Sequence, residues 1–192
     1  MRALPCCLVL LPLLLGGCIP RETIGFSYAP PPAVAPAAGP PLSVVVQDQR
    51  RRAPNSVGEV RGLMGSTAGR AETAQPVAEL VRQGFEAGLA ARGLALAPPG
   101  QAGLALSVAL EQFDAVQVVQ RGATARLTAR LADSTGRVLW QREVRQRDTD
   151  RTLSGGAGTA PVAHLAPILA RLLRHTVDQV LDDPGFRAAL SR

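Results

Sequence analysis

The pattern of the chain predicts an α+β fold: an antiparallel sheet of about four strands with two helices packed on one face, in the order β-α-β-β-β-α. Three observations carry this. Leu104 to Phe113 and Ala123 to Ala132 alternate apolar and polar residues, as strands do when one face is buried and the other wet. Pro76 to Arg92 and the segment around Leu165 to Leu181 repeat apolar residues every three or four positions, as amphipathic helices do. Asp133-Ser134-Thr135-Gly136 is turn sequence joining two of the strands.

The chain begins with a leader. Arg2 supplies positive charge, Cys6 to Leu15 is an apolar run broken by Pro12, and Leu15-Gly16-Gly17-Cys18 ends it. The run is about half the ~20 residues a spanning helix needs. Small residues before a cysteine, with Leu at the third position, make a lipobox: residues 1–17 are a lipoprotein signal peptide, Leu15, Gly16 and Gly17 are read by the peptidase, and Cys18 receives the lipid. Cys6 and Cys7 leave with the leader, so the mature chain has one cysteine, acylated, and no disulfide. Ile19, not Asp, follows Cys18, which by the sorting rule of enteric lipoproteins directs the protein to the outer membrane, on its periplasmic face.

Residues 18–41 read as the lipidated Cys and a Pro/Ala-rich tether, with Pro30-Pro31-Pro32, Pro36 and Pro40-Pro41 favouring extended polyproline geometry. Phe26 and Tyr28 within it pack either on the domain or on the bilayer. Residues 42–192 read as one periplasmic domain. Leu42 to Val46 is a β-branched buried strand. Ala53 to Thr73 is glycine-rich and weakly patterned; Val57, Val60 and Leu63 suggest at most an edge strand or hairpin. The first helix starts at Pro76, suited to a first turn, and stops before Gly93. Gly84 and Gly88 lie on its apolar stripe, which suggests close approach to the sheet. After the alternating strands, Arg137 to Arg147 returns with Val138, Trp140 and Val144 on one face. Asp148 to Ala160 reads as a loop. A second helix begins between Pro161 and Pro167 and ends at Asp182-Asp183-Pro184, with Phe186 and Leu190 in a terminal turn.

The formal charge is +6, and every one of the basic residues is arginine. The arginines are spread along the chain, which fits a compositional bias better than a binding surface. Absent lysine excludes a P-loop or a Schiff base, so Gly155-Gly156-Ala157-Gly158 is a connection and not a phosphate loop. His164 and His175 lie about 16 Å apart if both sit on one helix, too far to share a metal. Asp148 and Asp150 lack the spacing of a calcium loop. No Gly-x-Ser-x-Gly elbow is present. The expectation is therefore a protein that is not an enzyme, with no cofactor and no metal. Arg50-Arg51-Arg52 is the densest charge: either a solvated loop or a contact for a partner or an anionic polymer. Nucleic acid is a poor partner for an exported chain with few aromatics.

The lipobox, the Pro-rich segment, a first strand running into Asp48-Gln49-Arg50, Ala91-Arg92-Gly93 at the helix end, the alternation from Leu104, the Asp133 to Trp140 hairpin and a last helix ending near Asp183 together resemble the YajG family of bacterial lipoproteins. The resemblance implies an outer-membrane lipoprotein facing the periplasm, with Cys18 as the one position whose role transfers. The functional expectation is a membrane-anchored, non-enzymatic adaptor or accessory subunit that docks on an envelope protein through a sheet edge, the first strand or its loop. The alternative is a direct binder of anionic cell-wall polymer or lipid through the arginine-rich sheet face.

Overall fold

The computed structural model describes residues 19–36, 39–150 and 161–191. The lipobox residues Leu15, Gly16, Gly17 and Cys18 and the Gly155–Gly158 cluster lie outside the described residues. The strands are β1 (Arg21–Thr23), β2 (Leu42–Asp48), β3 (Ser56–Arg61), β4 (Thr67–Glu72), β5 (Leu104–Gln117), β6 (Arg121–Asp133) and β7 (Val138–Asp150). The helices are α1 (Val77–Ala91), α2 (Ala166–Leu181) and α3 (Pro184–Leu190), with a 3-10 turn over Val162–Leu165 before α2.

The antiparallel four-strand, two-helix expectation is corrected on three points. Among the described residues seven strands form one mixed sheet, the helices number three, and β2 and β3 both run parallel to β5. Alternation reports which face is wet and is blind to the direction of the neighbouring strand. The parallel β2–β5 pair needs a long crossover, which the β3–β4 hairpin and α1 supply.

β5 is the axis. β6 pairs along its whole length, Leu104 opposite Asp133 through Gln117 opposite Arg121. Its other edge is shared end to end. β2 takes Leu104 to Leu110, and β3 takes Ala115 to Gln117. Between them no strand among the described residues pairs with β5 on that side. A bulge at Glu111 puts two residues opposite one of β6 there.

The core lies between the sheet and the helices. Leu106, Val108, Leu110 and Phe113 of β5 and Ala125, Leu127, Ala129 and Leu131 of β6 face Phe85 and Leu89 of α1 and Leu169, Leu172, Leu173 and Val177 of α2, all fully buried. Both helices keep their expected bounds: Pro76 caps α1, Gly93 follows it at φ 78°, and Pro167 sits in the first turn of α2.

Other expectations change. Residues 24–28 are no free tether. Ile24, Phe26 and Tyr28 are buried in the core, Phe26 stacks on Phe113 at 5.8 Å, and β1 before them joins the sheet. The strap then continues over the prolines, where the Val34 amide donates to the Ala91 carbonyl at 2.9 Å. Gly84 and Gly88 bring α1 close to α2 and this strap, not to the sheet. A Cβ on Gly88 would stand 2.8 Å from Leu181, 3.0 Å from Val177 and 3.2 Å from the Tyr28 hydroxyl. Val138 is exposed because a bulge at Leu139 separates its register from that of Trp140. β7 runs on to Asp150, so Asp148 and Asp150 are strand residues, paired with Arg171 at 2.9 Å and Arg121 at 3.3 Å.

Candidate functional site

The loop after β2 crosses the gap on the β5 edge, and Arg50 closes it. Its guanidinium donates to the Ser56 carbonyl at 2.8 Å, the Pro54 carbonyl at 2.8 Å and the Phe113 carbonyl at 3.4 Å, and pairs twice with Asp48 at 2.9 Å. The Arg50 side chain is only 2% exposed. Arginine suits this place because its five donors fan out in a plane, so one side chain serves the Phe113 carbonyl in the unpaired stretch of β5 together with the Pro54 and Ser56 carbonyls that lead into β3. Burial alone would raise the Asp48 carboxyl. The Arg50 side chain and backbone N–H outweigh that and hold it below the usual carboxylate range.

The triplet therefore divides. Arg50 is spent inside the fold, which leaves Arg51 and Arg52 of the triplet at the surface. Arg52 stands on the wet face, 3.1 Å from Asp114 and 3.9 Å from Glu59. Arg51 is exposed, and among the described residues it has no charged partner. The three residues line a cleft of about 620 Å³ with Glu111, Gln112, Asp114 and Arg126.

The expected arginine-rich wet face is present and partly self-neutralised. Arg126 pairs with Glu111 at 2.8 Å, Arg145 with Glu143 at 2.7 Å, and Arg61 with Glu59. Exposed pairs of this kind contribute little stability and weaken the field an anionic polymer would feel, while Arg130 and Arg147, exposed on the same face, have no carboxylate partner among the described residues.

The outer edge of β2 leads straight into this loop. The Leu42 amide donates outward to Ala95 at 2.8 Å, and the Leu42 carbonyl accepts from Ala97 at 2.9 Å. The Pro41 carbonyl and the Gln49 amide point the other way, to Leu104 and Leu110 of β5. By the two-residue period of a strand, Val44, Val46 and Asp48 also point their amides and carbonyls outward. Beyond Leu42 no strand among the described residues pairs with them.

A second, more apolar cleft of about 510 Å³ lies between Pro31, Pro32 and Val34 and the ends of α1 and α2. At its rim Arg92 binds Asp178 at 3.0 Å and Asp182 at 3.0 Å, and Arg187 binds Asp182 at 2.6 Å. The Tyr28 hydroxyl donates to Asp178 at 2.7 Å. Burial, more than any neighbour, pushes the Tyr28 phenol up, so it stays protonated as a donor. Asp182 is held low chiefly by Arg92. This network ties strap, α1, α2 and α3 together and leaves no unmatched charge for a ligand.

Asp183, just past the end of α2, caps α3. Its carboxylate accepts from the Phe186 amide at 2.9 Å and Trp140 at 3.0 Å, and pairs with Arg142. Burial raises this carboxyl, and the three donors together lower it further than burial lifts it. His164 lies in the 3-10 turn and His175 on α2, with Nδ1 of His175 3.8 Å from Asp148. Among the described residues no group of potential ligands could hold a metal ion, and no helix is long and apolar enough to cross a membrane.

The fold is similar to that of a Xanthomonas campestris protein of the DUF330 family, at 16% identity and TM-score 0.60, over 84% of this chain and 92% of that one. It is also similar to the crystal structure of an uncharacterized protein at 15% identity and TM-score 0.55, over 81% of this chain and 97% of the other. Identities this low speak for the fold alone. No curated protein matches the chain. Residues 28–191 match the model of a family of uncharacterized lipoproteins, and the chain belongs to that family.

Proposed function

We propose that this lipoprotein is held by an acylated Cys18 in the outer membrane, faces the periplasm, and serves as a non-enzymatic adaptor of the YajG type that docks an envelope protein along β2. Its layout on this reading is a leader over residues 1–17, a lipid on Cys18 and one domain, which starts at β1 and not at residue 42.

One observation carries the docking site: the free edge of β2 runs without interruption into Arg51, an exposed arginine beside a polar cleft. An edge of this kind accepts an extended segment by main-chain pairing, and neighbouring pockets and charges choose the sequence. Arg51 favours an acidic residue in that segment. The polymer-binding reading stands second, because Arg52, Arg126 and Arg145 already face carboxylates of the same surface.

The test is a pair of substitutions. Val46→Pro removes an outward amide and leaves the β5 ladder intact, since proline is tolerated on an edge. Arg51→Ser removes the exposed charge. Partner recovery from detergent-solubilised envelopes should fall for both variants, with unchanged circular dichroism. Full recovery in both would remove β2 from the account. Binding to purified sacculi that drops steeply with salt would promote the polymer reading instead.

A further inference from the structure

Large apolar side chains that stay exposed are informative when they gather. Of the eight exposed among the described residues, Ile19, Leu63, Met64, Val118 and Val119 share one end of the sheet. Met64 is 96% exposed and Leu63 73%.

The register explains the gathering. Val60 of β3 lies opposite Gln117 of β5, the last residue of each ladder, so the β3–β4 turn and the β5–β6 turn emerge side by side at the same level. Leu63-Met64 tops the first turn and Val118-Val119 the second. β1 runs parallel to β4 with Arg21 opposite Arg70, and the Pro20 carbonyl accepts from the Arg70 amide at 3.0 Å. Ile19 therefore leaves the sheet at this level too, and the residue before it is Cys18. Among the described residues the charges here balance in number: Arg21 pairs with Glu72 and Arg61 with Glu59, and the exposed Arg70 and Glu22 carry opposite signs without an ion-pair partner. What this end offers is apolar side chains on two short turns.

We infer that this end of the sheet rests on the bilayer that holds the anchor, with Leu63, Met64, Val118 and Val119 immersed at the boundary of headgroups and acyl chains. The inference rests on the reading of Cys18 as the lipid anchor. Two shallow apolar turns beside the attachment point would fix the domain's orientation and not merely its proximity. Because the charges nearby sum to about zero, the apolar turns carry the contact, and it depends little on salt.

The experiment uses the full lipoprotein in phosphatidylcholine vesicles containing shallow spin-labelled lipid. An environment-sensitive fluorophore is attached through Met64→Cys or, separately, Val119→Cys, with Thr135→Cys at the opposite end as reference. Mass spectrometry of the N-terminal peptide reports the acylation of Cys18. Quenching several-fold stronger at positions 64 and 119 than at 135, in low and high salt alike, supports the inference. Acylated, vesicle-bound protein quenched equally at all three positions, or at none, overturns it while leaving the anchor reading intact. An unmodified Cys18 on protein that does not join the vesicles overturns the anchor reading and this inference with it.

Discussion

Arg50 and Arg51 are neighbours of the same type with opposite duties. Removing the Arg50 side chain leaves Asp48 and three carbonyls without their donor. Leaving buried acceptors without their donor costs about 1–3 kcal/mol, and Arg50→Ala should show a loss of that size in urea unfolding, whereas Arg51→Ala should stay within about 0.5 kcal/mol of the parent. Asp48, Asp182 and Asp183 all have carboxyls held below their ordinary values. Groups with depressed folded-state values contribute stability above the unfolded pKa of about 4 and lose it as pH falls through the depressed values. Stability should therefore drop between pH 5 and pH 3, measured by urea titration at each pH, and Asp183→Asn should be weaker at neutral pH with a shallower acid loss. From sequence, nothing told Arg50 from Arg51. The difference arises where β2 ends and β3 begins on the edge of β5, a fact of pairing and not of composition.

At the scale of elements, what was legible was periodicity. The stripes of α1 and α2 and the alternation of β5 and β6 each bury the face the spacing predicted, because one-sided burial writes itself into the sequence. The β3–β4 hairpin was obscured by the residues its packing demands. Gly58 has no room for a Cβ, which would stand 2.5 Å from the Ala115 carbonyl oxygen, and one on Gly69 would stand 2.8 Å from Val162. Glycines required for close approach dilute the β-branched signal by which strands are recognised. The strap carried a readable signal in Ile24-Gly25-Phe26-Ser27-Tyr28, apolar at alternate positions, but the prolines after it gave the whole segment the look of a tether. Phe26→Ala should cost about 3 kcal/mol, as other buried aromatics do. The two helix glycines should respond in opposite directions. At Gly84 a Cβ meets only ordinary contacts, the nearest at 3.4 Å, so Gly84→Ala should stabilise the fold by about 0.5–1 kcal/mol through helix propensity and raise Tm. Gly88→Ala should lower Tm, since overpacking of about 1–3 kcal/mol exceeds that gain.

At the scale of the molecule, the long strand β5 separates two surfaces. Val118 and Val119 stand at one end with the exit toward Cys18. β2 and its open edge lie beside the other half, and eight residues of strand at about 3.3 Å each place the end of β2 roughly 25 Å from the tips. A domain standing on its turns would present that edge away from the membrane, within reach of a periplasmic segment of another envelope protein. The helices cover one sheet face, and the strap packs against them, so the uncovered face, the outer edge of β7 and the β2 edge remain open to a partner. The measurement that tests this most directly is crosslinking in intact cells from a photoreactive residue at position 51, with position 135 as reference and mass spectrometry of what is captured. The account predicts one dominant envelope protein at position 51, absent at 135 and diminished by Val46→Pro. Capture of glycan or lipid without a protein, or the same products from both positions, would contradict it.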